Sequence, residues 1–125
     1  MPGVTLDAGA LVELDRNDRR IVVLLARATE TNSRVTVPAT ALAQAVRRPE
    51  QQVRLARLVR QPTTDVMALD RVEATNVGIL LAASGTSDIT DAHVVICVRR
   101  SSQRIVTSDP DDLRLLDPEI ELIGL

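Results

Sequence analysis

Three aspartates border apolar segments that lie far apart in the sequence. Asp7 follows Val-Thr-Leu, Asp91 opens the segment Asp-Ala-His-Val-Val-Ile, and Asp109 follows Ile-Val-Thr-Ser. Each falls at a predicted strand–helix junction or helix start, and an α/β fold would bring such positions to one edge of its sheet. Carboxylates held close together repel one another unless a cation neutralises them. The pattern therefore predicts a divalent-metal site.

Asp91 gives the sharpest indication, because it is predicted to share a helix face with Val94, Val95 and Val98. That face should pack on the sheet, where an unpaired carboxylate would cost several kcal/mol. The simpler alternative is that Asp91 and Asp109 are N-cap or first-turn residues, which backbone amides and the helix dipole stabilise. For three aspartates at corresponding edges of one sheet, we favour the metal.

Two further acids accompany these three. Asp88 lies three residues before Asp91 and is either a fourth ligand or the cap of the same helix. Asp112 belongs to the first turn of the helix after Asp109 and could approach the site from there. Hard oxygen ligands in this number favour Mg²⁺ or Mn²⁺.

His93 and Cys97 are the one histidine and the one cysteine of the chain, and they could share a helix face. A zinc site needs three or four protein ligands, and the sequence offers no further Cys or His. The pair also permits a thiol nucleophile, but Cys97 lies within an apolar helix. We interpret Cys97 as a core residue and His93 as an ordinary histidine.

Strands and helices are predicted to alternate along the chain. The predicted strands cover residues 4–6, 34–37, 66–69, 104–107 and 120–123. Helices are predicted over residues 8–15, 50–60 and 91–100, with others beginning at Asp18, Pro38, Asp70 and Asp109. The helix after Asp70 should end at Gly85 and bury Ala74, Val77, Gly78 and Leu81. This order predicts one α/β domain over residues 1–125, with a parallel sheet covered on both faces.

Composition limits the function. Among 125 residues there is no Phe, Tyr or Trp, which excludes an aromatic platform for stacking bases. All 15 basic residues are Arg, so a P-loop and other phosphate sites that depend on Lys are excluded. No apolar run approaches the roughly 20 residues that span a bilayer, and the N-terminus lacks signal-peptide features. We expect a cytoplasmic protein that does not enter membranes.

Charge is distributed unevenly along the chain. Residues 1–60 carry a formal charge of +4 and residues 61–125 one of −6, which gives −2 overall. A basic region beside an acidic centre could hold a polyanion over bound metal. An unevenly charged, solvated surface explains the same numbers equally well.

On these residues the sequence resembles PIN-domain ribonucleases, specifically the VapC-type toxins of bacterial toxin–antitoxin pairs. The resemblance covers essentially the whole chain. It is carried by Leu-Asp-Ala-Gly-Ala-Leu at 6–11, Asp-Ala-His-Val-Val at 91–95 and Val-Thr-Ser-Asp at 106–109. It implies a three-layer α/β/α sandwich with a central, mostly parallel sheet of about five strands. It also implies that Asp7, Asp91 and Asp109 bind Mg²⁺ or Mn²⁺ and direct water at an RNA phosphodiester.

The sequence departs from this family at one site position. Where the family usually has a Glu on the helix after the second strand, this chain has Gln44. An amide can coordinate through oxygen but brings no charge and cannot act as a general base. Thr40, Arg47 and Arg48 form a polar stripe with Gln44, which is either a phosphate contact or an exposed helix face. Ser108 and Asp112 are accessory candidates.

The resemblance implies a homodimer that is inhibited by a cognate VapB-type antitoxin and that cuts RNA such as tRNA or rRNA. The main alternative is a catalytically weak or inactive module that binds RNA or protein, and Gln44 favours it. A third option is a phosphoryl-transfer enzyme that acts on small molecules.

Overall fold

A computed structural model describes residues 3–125, and its centre is a sheet of five parallel strands. The strands are β1 (Val4–Leu6), β2 (Val35–Pro38), β3 (Thr64–Met67), β4 (Arg104–Thr107) and β5 (Leu122–Gly124). Their order is β3-β2-β1-β4-β5, so the chain first builds outward from β1 on one side and then on the other. The strand order reverses between β1 and β4, where ligands of such sheets bind at the carboxyl ends.

Helices cover both faces of the sheet, which confirms the predicted α/β/α sandwich. They are α1 (Ala8–Asp15), α2 (Arg19–Glu30), α3 (Ala39–Ala45), α4 (Val53–Arg60), α5 (Arg71–Ser84), α6 (Ile89–Ser101) and α7 (Pro110–Leu116). Helix α1 packs against α2, α3 and α4, while α6 packs against α3, α5 and α7 and against the three central strands. Seven consecutive residues of α6, Ala92 to Val98, are buried, which makes it the central helix of its layer.

Several boundaries differ from the prediction. Strand β3 covers residues 64–67 instead of 66–69, because the polar Thr64 and Asp65 pair with β2 at an edge of the sheet, where polar residues are tolerated. Strand β5 is short, with Leu122 and Ile123 paired to β4, so the predicted start at residue 120 is wrong. The predicted helix 50–60 is divided at Gln52 into a 3₁₀ turn (Pro49–Gln51) and α4.

The buried face of α5 was predicted wrongly at two of its four positions, whereas Val77 is buried and Leu81 is partly buried against the core as predicted. Ala74 and Gly78 are exposed, and the buried residues are Glu73, Val77 and Leu80. The helix is therefore rotated relative to the apolar pattern, and the rotation buries a carboxylate against α6. Asp70 caps this helix and Gly85 ends it in the left-handed conformation (φ 71°), as predicted.

No helix among residues 3–125 is long and apolar enough to cross a membrane.

Candidate metal centre

Asp7 lies at the carboxyl end of the central strand β1. Its backbone N–H still pairs with Val106 of β4 (3.3 Å), and its side chain caps α1 by accepting the Ala10 N–H at Oδ1 (2.8 Å). The residue is only 4% exposed. Burial raises the pKa of the Asp7 carboxyl, while hydrogen bonds from the Thr107 hydroxyl and the Ala10 amide oppose that rise. Asp7 is thus both a helix cap and a buried acid.

Thr107 links the ends of β1 and β4. Its fully buried hydroxyl is hydrogen-bonded to the Asp7 carboxyl and accepts the backbone N–H of Asp109 (2.9 Å). One side chain therefore orients the Asp7 carboxyl and the backbone that carries Asp109. The prediction included Thr107 in its third motif without assigning it a role.

Asp109 precedes α7, but its side chain makes no capping hydrogen bond. Asp109 therefore occupies the predicted N-cap position of α7 without capping the helix through its side chain. A hydrogen bond with Asp112 raises the pKa of the Asp109 carboxyl, and burial and the charges of Asp112 and Asp111 add to that effect. The predicted approach of Asp112 to this group is thus observed as a contact with Asp109.

Asp91 lies in the first turn of α6, where it is partly buried. Burial raises the pKa of its carboxyl most, the charges of Asp88, Asp7, Asp112 and Asp109 add to this in that order, and together they bring the pKa to about 7. Residues from three separate stretches of the chain therefore lie close enough to oppose the ionisation of Asp91. The sequence predicted this convergence from strand–helix junctions and helix starts.

Asp88 is the cap of α6, the second of its two predicted roles. Its Oδ1 accepts the backbone N–H of Asp91 at 2.9 Å, and the residue is exposed. This contact explains why α6 begins at Ile89, earlier than predicted. The negative charge of Asp88 still acts on Asp91.

The stripe on α3 is divided between two environments. The Thr40 hydroxyl bonds to His93 Nδ1 (2.7 Å), so it links α3 to α6. Arg47 turns its guanidinium onto the carbonyls of Ala43 and Val46 at the end of α3. Gln44 and Arg48 are exposed. The exposure of Gln44 and Arg48 fits both a contact with substrate and a simple exposed helix face, whereas the Thr40 hydroxyl is bonded to His93.

Gly9 allows the first turn of α1 to approach the loop after β4. A Cβ at this position would lie 2.6 Å from Ser108 Oγ and 3.5 Å from Asp7 Oδ1. Ser108, an accessory candidate from the sequence, therefore lies against the turn that carries Asp7. A side chain at position 9 would push these two apart.

The aspartates share an electrostatic field without forming a closed cage. Within residues 3–125, Glu73, His93 and Cys97 form a group in which one ligand atom from each lies within 4.8 Å of the other two. No three aspartates in this part of the chain come as close together. The chemistry available to the aspartates is therefore that of an open group of hard oxygen ligands, which suits Mg²⁺ or Mn²⁺ with several bound waters.

Sequence reasoning missed Glu73. It follows the Asp70 cap by three residues, so it reads as an ordinary first-turn acid. The signal that could have found it is its spacing, because Glu73, Val77 and Leu80 lie on one helix face.

Comparisons with known structures agree with the sheet and its helices. The fold is PIN-like. A chain of VapBC2 from Rickettsia felis, crystallised bound to a DNA fragment from its promoter, superimposes with a TM-score of 0.65 at 12% identity, covering 97% of each chain. A chain of FitAcB from Neisseria gonorrhoeae gives a TM-score of 0.65 at 14% identity, covering 97% of this chain and 96% of the other. No protein-family model matches the sequence, and comparison with curated proteins finds no match.

Proposed function

We propose that this protein is a Mg²⁺- or Mn²⁺-dependent endoribonuclease, the toxin of a type II toxin–antitoxin system. The observation that carries the proposal is the mutual electrostatic influence of Asp7, Asp91 and Asp109 at the carboxyl edge of the central strands. Such a group is costly without a cation. The PIN-like fold and the toxin–antitoxin complexes among its structural neighbours support the choice of nuclease over other metal-dependent enzymes.

Each aspartate would have a distinct task. A bound divalent ion would lower the pKa of a coordinated water and offset charge on the phosphoryl oxygens. Asp7 is held by Ala10 and Thr107, so its carboxyl is pre-oriented. Asp91 lies where its carboxyl resists ionisation, so it gains most from a neighbouring cation. The Asp109 side chain makes no capping hydrogen bond, so it can turn toward the ion.

The test is cleavage of total bacterial RNA by antitoxin-free protein in Mn²⁺, in Mg²⁺ and in EDTA. We expect discrete fragments, such as those from tRNA or rRNA, that need the metal and are lost in Asp109→Asn. Asp111→Asn is a matched control, since Asp111 is an exposed acid of the same helix turn. Cleavage that survives in Asp109→Asn at the wild-type rate would refute the assignment.

A second candidate is a PIN-like module that binds RNA or protein without turnover. Gln44, in place of the family Glu, and the open spacing of the aspartate oxygens favour it. The two candidates differ in metal affinity. A module without a working centre should show no saturable Mn²⁺ binding that depends on Asp7 and Asp91.

The proposed regulator is a cognate VapB-type antitoxin. An Arg side chain in its tail could form charge-assisted hydrogen bonds with the aspartates and replace the cation. An Arg-containing tail peptide should then compete with Mn²⁺ for the wild-type protein. Binding of the peptide that is indifferent to Mn²⁺ would place the antitoxin contact elsewhere.

The proposal includes a homodimer. Helices α2 and α4 are candidates for its surface, since they expose Val22, Val23 and Val53. Helices α5 and α7 expose Ile79 (63%) and Leu115 (67%) still more. Light scattering of Val23→Glu and Ile79→Glu beside wild type would identify which surface, if either, joins two copies.

A further inference from the structure

A second group of chemically versatile side chains is buried between α5 and α6. Glu73, His93 and Cys97 are 1%, 0% and 2% exposed. His93 and Cys97 are one helical turn apart on α6, and Glu73 faces them from α5. One ligand atom from each lies within 4.8 Å of the other two.

Three buried polar atoms of this group have no hydrogen-bond partner. They are His93 Nε2 and both carboxylate oxygens of Glu73. His93 Nε2 lies 3.7 Å from Glu73 Oε2, which is too long for a hydrogen bond. Arg100 Nη1 lies 2.6 Å from Glu73 Oε1, yet the two are not aligned as a hydrogen bond, so the contact is an ion pair only. Arg100 therefore offsets the charge of Glu73, and the Ala68 backbone also bonds to the His93 ring, but His93 Nε2 and Glu73 Oε2 have no aligned hydrogen-bond partner.

The histidine ring is held by its other nitrogen. His93 Nδ1 lies 2.7 Å from Thr40 Oγ1. When Nδ1 donates its proton to that hydroxyl, Nε2 carries a lone pair that faces Glu73. This arrangement is the usual support of a metal-binding histidine, whose second nitrogen bonds to the protein.

We propose that Glu73, His93 and Cys97 form a buried site for Zn²⁺ or a similar transition-metal ion. Thiolate, imidazole and carboxylate are zinc ligands, and the thiolate disfavours the hard ions that suit the aspartates. Bond lengths of about 2.0–2.3 Å place tetrahedral ligand atoms roughly 3.3–3.8 Å apart. The 3.7 Å between His93 Nε2 and Glu73 Oε2 meets this requirement, and small rotations would bring Cys97 Sγ into range.

One of the three proposed ligands, Cys97, borders a cavity. This cavity of about 560 Å³ is lined by Cys97, Arg100, Ser101, Gln103 and others. It could admit the ion and hold a water as fourth ligand. The Cys97 S–H bond would break as the S–Zn bond forms, and the proton would leave to solvent with no change of oxidation state. Arg100, whose side chain is 51% exposed, would move away from Glu73.

A metal here would act on the structure and not on substrate. It would link α5 to α6 at His93, two residues after Asp91. The His93 ring is also bonded to Thr40 of α3. The two metal sites would then differ in chemistry: hard ions at the aspartates and a softer ion at Cys97.

Co²⁺ binding tests this assignment, because the chain has one cysteine and one histidine. Chelator-treated wild type titrated with Co²⁺ should develop a thiolate-to-cobalt charge-transfer band that saturates at one equivalent and is removed by Zn²⁺. Cys97→Ala should abolish the band, and Glu73→Gln should weaken Co²⁺ binding at least tenfold. Asp91→Asn, which alters the aspartate group, should leave the band unchanged.

Thermal unfolding gives a second readout. Zn²⁺ at about one hundred times its Kd should raise the wild-type melting temperature by roughly 10 °C, and this rise should be lost in Cys97→Ala. Folded wild type without the band would overturn the proposal. An equal zinc-dependent rise in Cys97→Ala would also overturn it, because the ion would then sit among the aspartates.

Discussion

Replacing Asp91 by Asn should stabilise the metal-free protein while removing its activity. The pKa of the Asp91 carboxyl is about 7 in the folded chain, against 3.8 for an unperturbed Asp. Above pH 7 the folded state must hold an ionised carboxylate that burial and four neighbouring acids disfavour. Asn has nearly the same shape and no charge, so it avoids this penalty.

The size of the effect follows from the shift. About three pKa units at about 1.4 kcal/mol each give roughly 4 kcal/mol. Asp91 is only partly buried, so solvent screening and the lost interaction with the α6 dipole reduce the expected gain to about 2 kcal/mol. For a domain of this length, that corresponds to a rise in melting temperature of roughly 5–10 °C at pH 8.

The stability gain of Asp91→Asn should depend on pH. A raised carboxyl pKa means that the folded state holds its proton more tightly, so wild-type stability falls as pH rises from about 4 to about 7. At pH 5 Asp91 is mostly protonated in the folded protein, and the advantage of Asn should shrink.

The assay is thermal unfolding in EDTA at pH 5 and pH 8, with Asp111→Asn as control. The reasoning would be refuted if Asp91→Asn were less stable than wild type at pH 8. An equal shift of its melting temperature at pH 5 and pH 8 would also refute it.

Three further substitutions and one addition test other parts of the site. Thr107→Val should lower both activity, by tenfold or more, and stability, by about 1–3 kcal/mol, whereas Thr107→Ser should restore both in RNA-cleavage and unfolding assays. Gly9→Ala gains about 1 kcal/mol of helix propensity but places Cβ 2.6 Å from Ser108 Oγ. Denaturant titration should show a net loss of stability, and adding Ser108→Ala should reverse that loss. Additive effects of the two substitutions would contradict the contact. Gln44→Glu should tighten Mn²⁺ binding and speed cleavage, and calorimetry showing no gain would remove Gln44 from the site. Mg²⁺ should stabilise wild type at pH 8 and flatten its pH slope, with Asp91→Asn responding much less in the same melting assay.

The sheet could be predicted because its strands are short apolar segments. These segments end at Pro or Asp, or lead directly into residues that begin a helix. Val4–Leu6 and Arg104–Thr107 were predicted with the observed bounds. Edge strands were less clear. Thr64 and Asp65 pair with β2 although neither residue is apolar, since an edge strand buries less than a central one.

Within the candidate site, the sequence predicted convergence but not contacts. The carboxyl ends of parallel strands lie at one edge of the sheet, so Asp7 and Asp109 could be placed at the same edge from topology alone. The bridge through Thr107 could not be predicted, because it depends on a rotamer and on the exact relation of β1 to β4. The buried Glu73 was missed because a carboxylate is normally assigned to the exposed face of a helix.

Mn²⁺ binding by wild type and Asp91→Asn, measured by electron paramagnetic resonance at pH 7.5, tests the aspartate centre most directly. We expect saturable binding by wild type, at least tenfold weaker binding by Asp91→Asn and unchanged binding by Cys97→Ala. Equal Mn²⁺ affinity in wild type and Asp91→Asn would contradict this expectation.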